Sequence, residues 1–344
     1  MGLWRQLLGA VVLMALQLVA LGDAAHYIGV GKADITGPAA EVVMMGYGLT
    51  KQRTAGLLNR LYARAFIIED AEADTRVVFV NCDLAAVFQL VHQEVLHQLK
   101  SKYGGVYTEQ NVVLHGIHTH AGPGGSSAYF LYDASILGFN EDNFEIIVDG
   151  ILAAIDEAHH SLTPGQVRFN KGEIADGGAN RSPVAYEANP AEELTRSRSF
   201  EQFDRSKLLD LEPGVVMDTV PLRKHFGSLR RDVDGPYTVG STVSASFYGG
   251  HPKNRLKQIH SFCDVEKEVG GEFTTVLTDA HWDVRFHWAR KGISESASDC
   301  EWYIRANTST SVAGRYRIRH RGFHKPLVGE IKAYEGFSSR FEVV

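Results

Sequence analysis

The feature that most constrains this chain is a change of rhythm along it. Up to about residue 190, short β-branched strands alternate with amphipathic helices. RAFIIED (64–70) and RVVFVNCDL (76–84) read as strands, rich in β-branched and aromatic residues with polar ends. FQLVHQEVLHQLKSKYG (88–104) reads as a helix, with Leu90, Val91, Val95, Leu96 and Leu99 near one face and Gly104 as its stop. NVVLHG (111–116) is a further strand. NFEIIVDGILAAIDEAHHSL (143–162) is a second helix, with Phe144, Ile147, Ile151, Ile155 and Ala158 in its apolar stripe and Asn143 as its cap. Strand–helix–strand order predicts an α/β domain.

From about residue 207 the helical period disappears. STVSASFYGG, EFTTVLTD, WDVRFHWA, CEWYIRA and GRYRIRHRG are short β-type segments separated by turn residues. In GRYRIRHRG, Tyr316 and Ile318 fall on one face and arginines on the other. The fold expected here is an all-β immunoglobulin-like sandwich following an α/β domain. Trp282, Trp288 and Trp302 are expected to fill its core. The charged, weakly patterned run at 189–207 marks the seam, so the expected units are 25–200 and 207–344.

The first 24 residues carry Arg5, an apolar run from Leu7 to Leu21, and small residues at Gly22 and Ala24. This is the pattern of a secretory signal peptide. It implies a secreted or lumenal protein. The formal charge is −6, without a long basic run, so nucleic acid is not an expected partner. Of three cysteines, Cys82 lies in an apolar strand and is expected to be a buried free thiol. Cys263 and Cys300 could form one bridge. Asn307-Thr308-Ser309 is a glycosylation sequon. Asp34 and Asp83 are read as ending local elements rather than binding metal.

The chemistry concentrates in HGIHTHAGPGGSS (115–127). His118 and His120 are two apart, and on an extended backbone such residues point the same way. Both imidazoles would then face one cavity at a strand end, with Thr119 on the other side. His115 is read as structural. Neutral imidazole is a common zinc ligand, and the following glycines let backbone approach a ligand closely. Two histidines are nevertheless short of a full catalytic zinc shell, and in a chain with 15 histidines an H-x-H run also arises by chance.

Five ordered motifs bear on that ambiguity: YIGVGKADITGP (27–38), VVMMGYG (42–48), LYARAFIIED (61–70), HGIHTHAGPGG (115–125) and GANRSP (178–183). In this order and spacing they resemble the N-terminal part of the neutral ceramidase family. WDVRFHWARKG (282–292), GRYRIRHRG (314–322) and YEGFSSRFEVV (334–344) are similar to the C-terminal sandwich of that family. The resemblance implies a secreted or membrane-associated hydrolase that cleaves the ceramide amide to sphingosine and a fatty acid, drawing its substrate from a membrane surface. It implies zinc bound by His118, proton transfer by His120 and a substrate-facing Arg181. Tyr47 would line the site by the same analogy, although core packing explains it equally well.

The family pattern also departs here. Its members continue after the N-R-S-P motif through a long middle region that supplies a second zinc histidine, an active-site serine, and a glutamate and a tyrosine that complete the zinc shell. This chain passes from NPAEEL almost directly to the sandwich. His251 in GGHPKN and Glu272 in GGEFTTV mimic two of the absent motifs and are read as coincidences. Two expectations follow. The zinc site is incomplete, which leaves a non-catalytic form binding a surface or partner through its sandwich as the alternative to a working hydrolase. The N-terminal part also exposes apolar surface that lost strands would have met.

Overall fold

The structure is a computed structural model and describes residues 26–70, 72–73, 75–172, 217–305 and 313–344. The signal-peptide pattern, the seam at 189–207 and the sequon at Asn307 lie outside the described residues. No helix among the described residues is long and apolar enough to cross a membrane.

The N-terminal sheet contains β1 (His26–Asp34), β4 (Tyr62–Asp70), β5 (Thr75–Cys82), β6 (Val112–Gly116) and β7 (Thr163–Gly165), in the order β6-β5-β4-β1-β7. Only β5 and β6 are parallel; the other neighbours are antiparallel. That single parallel pair requires a crossover. Helix α1 (Gln89–Tyr103) provides it. A short helix α2 (Phe130–Ile136) and the long α3 (Glu141–His160) follow.

Both long helices cover one face of the sheet. Their apolar stripes meet Ala63, Ala65, Ile67, Val78 and Val80 in a closed core. The glycines of YIGVGKAD explain how closely α3 lies on β1. A Cβ at Gly29 or Gly31 would sit 2.0 or 2.1 Å from the Ala158 or Ala154 carbonyl oxygen, so α3 rests on bare backbone. Cys82 is buried and unpaired, as expected, and burial pushes its thiol up to about 12.

Helix α3 starts earlier than its apolar stripe suggests. Asn140, not Asn143, is the N-cap, its side-chain oxygen accepting from the Asn143 N–H at 2.7 Å. Acidic Glu141 and Asp142 occupy the first turn and His159 and His160 the last, which suits the helix dipole. Asn143 is buried and serves the loop before it instead.

Beyond residue 217 come β8 (Leu229–Arg231), β9 (Thr242–Gly249), β10 (Cys263–Val269), β11 (Glu272–Thr278), β12 (Val284–Arg290), β13 (Ser296–Tyr303), β14 (Gly314–His324), β15 (Lys332–Phe337) and β16 (Phe341–Val343). One sheet runs β11-β10-β14-β15, with β16 also on β14. The two sheets enclose a core built around Phe247, Phe286, Trp302, Tyr316 and Ile318. Cys263 and Cys300 form a disulfide across it. Closing that 37-residue separation restricts the unfolded chain by about 4 kcal/mol. Trp288 and Trp302 fill the core as expected. Trp282 does not: it is 66% exposed, in the turn before β12.

The alternation in β14 has a further use. Tyr316 and Ile318 point inward, while Arg317 and Arg319 pair with the buried carboxylates of Glu266 and Asp264 at 2.6 and 2.7 Å. The Arg317 guanidinium also lies between the rings of Phe273 and Phe337.

The other sheet joins the two halves. Its order is β2-β3-β12-β13-β9-β8, where β2 (Ala40–Val43) and β3 (Arg53–Leu57) come from the N-terminal part. The hairpin leaves its own domain and adds to the sandwich, pairing Leu57 with Phe286 and Gly56 with His287. Two side chains, Glu41 and Arg60, secure it. Glu41 accepts from Arg290 through both carboxylate oxygens and contacts His251 Nε2 at 3.1 Å. Arg60 donates to Asp279 from Nε at 2.7 Å and to Asp34 from Nη1 at 2.9 Å. Arg60 and Asp279 are both buried.

Removing one partner of a buried pair strands the other charge, which costs about 3–5 kcal/mol, whereas exposed pairs are worth under ~1 kcal/mol. Asp279→Ala should therefore lower unfolding stability by several kcal/mol in chemical denaturation. Lys257→Ala, which removes the exposed Lys257 pairs with Glu145 and Asp149, should change it by less than ~1 kcal/mol. Equal effects would contradict this assignment.

Candidate functional site

Strand β6 ends at Gly116, so the two histidines lie just past it rather than on it. His118 is not extended: its φ is +63°, a region that disfavours a side chain. Holding a non-glycine residue there costs on the order of 1–3 kcal/mol. The Ile117 and His118 N–H groups donate to the Cys82 and Leu84 carbonyls at 3.1 and 3.0 Å, which fixes the turn. The expectation of an extended H-T-H is thus corrected, yet the imidazoles still meet. Their ring centroids are 4.9 Å apart and the planes nearly perpendicular, at 87°.

Each ring is anchored through the same nitrogen. His118 Nδ1 lies 3.1 Å from the Ala85 carbonyl oxygen, and His120 Nδ1 lies 2.9 Å from that of Met45. A carbonyl only accepts, so each Nδ1 carries the proton and donates. In the neutral tautomer this leaves each Nε2 with a lone pair, the arrangement in which an imidazole ligates a metal or takes up a proton.

The MMGYG segment joins β2 to β3, so the hairpin that adds to the sandwich also holds His120. Gly46 sits there at φ +90°, and a Cβ on it would lie 2.1 Å from His120 Nδ1. Glycine is required on both counts. Tyr47 packs its ring 5.5 Å from that of His120 and is exposed, which places it at the site rather than in a core.

The glycine-rich loop is stitched to the same hairpin. Met45 N–H donates to Gly122 O at 3.0 Å, and Gly124 N–H to Val43 O at 2.9 Å. Asn143 completes the fixation by donating from Nδ2 to the carbonyls of Pro123 and Gly124. The backbone roles of Ala85 and Met45 leave no mark in a sequence; Gly46 and Asn143 leave only their side-chain identities.

The remaining candidates separate. His115 stacks on Phe79 and contacts Asn81, a structural role as expected. Asp83 pairs with Arg64 and caps Tyr62 N–H, and Asp34 serves Arg60 and Thr36 N–H. His251 is buried against Trp288 and Glu41, in the hairpin clasp and not at the His118–His120 pair. Glu272 is the exposed first residue of β11. Arg181 lies outside the described residues.

Among the described residues, the donor set at this pair is short of a catalytic zinc shell. Such a shell takes three protein ligands. Among the described residues, the one cluster of three candidate donors is Cys263, Cys300 and His320, and its two sulfurs are joined in the disulfide. His118 suits the role of one ligand, but the described residues bring no third donor to the His118–His120 pair.

Comparison with known proteins bears on both halves. Residues 26–209 match the family described as neutral/alkaline non-lysosomal ceramidase, N-terminal, and residues 185–343 match its C-terminal counterpart. A neutral ceramidase of Oryza sativa subsp. japonica is 49% identical over 217 residues, 62% of this chain and 27% of that protein. The neutral ceramidase of Pseudomonas aeruginosa is 50% identical over 185 residues, 54% of this chain and 28% of that protein. The matched chain thus spans little more than a quarter of these relatives' length. A crystal structure of the Pseudomonas aeruginosa enzyme superposes with a TM-score of 0.80 at 21% identity, covering 94% of this chain and 99% of that one, which shows a shared fold.

If the Nδ1 anchors are as described, long-range 1H–15N NMR should report the Nδ1–H tautomer for both His118 and His120 at a pH where they are neutral. Gly46→Ala should shift the His120 signals and leave those of His118 nearly unchanged; equal shifts in both rings would contradict the anchoring. With two family models matched in order along one chain, and with the motif histidines converging at the end of its first sheet, this chain belongs to the neutral/alkaline non-lysosomal ceramidase family.

Proposed function

We propose that the chain carries the histidine limb of a ceramide amidohydrolase site, acting in sphingolipid catabolism on the amide of N-acylsphingosine. The observation that carries this reading is the pair of imidazoles, each with Nδ1 fixed on a backbone carbonyl and Nε2 left to act. The family membership supplies the substrate class, and one solved relative is described as ceramidase complexed with C2.

The roles divide by chemistry. His118 Nε2 would be one ligand for a zinc ion, which in a complete site would supply Lewis-acid activation of the amide and of water. His120 Nε2 takes a proton and returns it to the leaving amine, its ring held in place by the Nδ1 contact to the Met45 carbonyl. The segment 44–48 and the glycine-rich loop hold that ring in place. Arg181 is assigned to the developing oxyanion or a substrate hydroxyl. The signal-peptide pattern puts the protein outside the cytosol, with a membrane surface as the source of ceramide.

A second reading, a non-catalytic form that binds a surface or partner through the sandwich, is favoured by one observation: the described residues supply no third donor beside His118 and His120. Both readings meet in one assay of the purified chain. Under the first, zinc binds at one per chain and the chain hydrolyses ceramide, an activity that vanishes on chelation and in His118→Ala; under the second, zinc stays well below one per chain and there is no turnover. Turnover that survives both treatments would overturn the site. Absence of turnover with zinc supplied in excess would favour the second reading.

A further inference from the structure

Among the described residues, helices cover one face of the N-terminal sheet and leave the other bare. The expected apolar exposure is present, but on the sheet rather than on its helices. Val30 on β1, Phe66 and Ile68 on β4, Val77 and Phe79 on β5 and Val113 on β6 all point away from α1 and α3, each between 39% and 54% exposed. Their register makes one patch: Val30 lies beside Phe66, Phe66 beside Phe79, Ile68 beside Val77 and Phe79 beside Val113.

Together these side chains leave roughly 500 Å² of contiguous apolar surface, at the upper end of what a monomer tolerates. With its polar margin the face approaches the ~800 Å² per partner of a stable interface. A flat, apolar, twisted sheet face is buried most directly by another such face about 10 Å away.

Charge selects the occupant. At one end of the patch the Lys32 ammonium lies over the Tyr62 ring, beside the Arg64–Asp83 pair. At the other end β4 closes on Asp70 and the turn after it carries Glu72. The ends are six residues apart along β4, about 20 Å. A two-fold axis between Phe66 and Ile68 lays the cationic end of one copy over the acidic end of the other and apolar centre on apolar centre. An isologous contact of this kind closes on itself. The acidic turn disfavours an anionic lipid surface at the same face.

We propose that this chain forms a two-fold dimer through the bare face of its N-terminal sheet, with Phe66, Ile68, Val77 and Phe79 at the centre and Lys32 facing the partner's acidic turn. The inference is independent of catalytic competence.

The test is sedimentation velocity of the full chain at about 50 µM, where a micromolar Kd gives mostly dimer. A mass near twice that of the chain is expected. The double variant Phe66→Lys with Phe79→Lys should weaken the dimer at least ~10-fold while keeping the wild-type circular dichroism spectrum. Lys32→Glu should weaken it and Glu72→Lys in the same chain should restore it. Ile68→Cys, close to the axis, should give a disulfide-linked dimer on oxidation and covers the case in which the lysine variant misfolds. A monomer at this concentration, a dimer indifferent to the lysine pair, open-ended assembly, or a monomer that binds neutral lipid vesicles through the same residues would each overturn the proposal.

Discussion

The arrangement of this molecule depends on a hairpin that belongs to one half by sequence and to the other by hydrogen bonding. Residues 40–57 leave the N-terminal sheet and extend the sandwich through β3 and β12. Backbone pairing between halves so distant in sequence is exacting, because a one-residue slip turns every side chain to the wrong face. The charges fix it. Arg60 is buried between Asp34 and Asp279, one carboxylate from each half, and Glu41 reaches both Arg290 and His251. The Arg290 and His251 contacts hold the Glu41 carboxyl far below the usual carboxylate range. A depressed carboxyl pKa stabilises the fold fully above its unfolded value near 4.5, and that contribution declines as pH falls through and below it.

The candidate site inherits this geometry. The loop that closes the hairpin supplies the Met45 carbonyl that orients His120 and the glycine that makes room for it. His118 is oriented from within the N-terminal half, by the carbonyl of Ala85. The two imidazoles are therefore held by different supports: one is local, and the other is positioned through the sandwich. The C-terminal half thus helps to shape the candidate site through the hairpin it holds.

Much of the fold is legible in the residues because its signals are local. Alternation in 64–70 and 76–84, the stripes of α1 and α3, and the inward Tyr316 and Ile318 are all readable from period alone. The hairpin's destination is not, since nothing in residues 40–57 marks β12 as its neighbour. The left-handed backbone at His118 is equally hidden, because the usual mark of positive φ is glycine or asparagine and histidine is neither. Asn143 misleads for a physical reason: it has the chemistry of a cap, but the chain uses it to hold the glycine-rich loop and assigns the cap to Asn140. Trp282 misleads because large aromatics usually pack, whereas this one falls in a turn. The motif histidines are legible as a pair, because they stand two apart in one short run.

The sharpest test of this account is whether the sandwich positions His120. Glu41→Gln keeps the size of the side chain, removes its charge, and lies in β2 away from both imidazoles. With the chain folded at neutral pH, the account predicts that this variant shifts the His120 imidazole signals in long-range 1H–15N NMR and leaves His118 in place. Unchanged His120 signals, with the contact between Glu41 and Arg290 demonstrably lost, would contradict it.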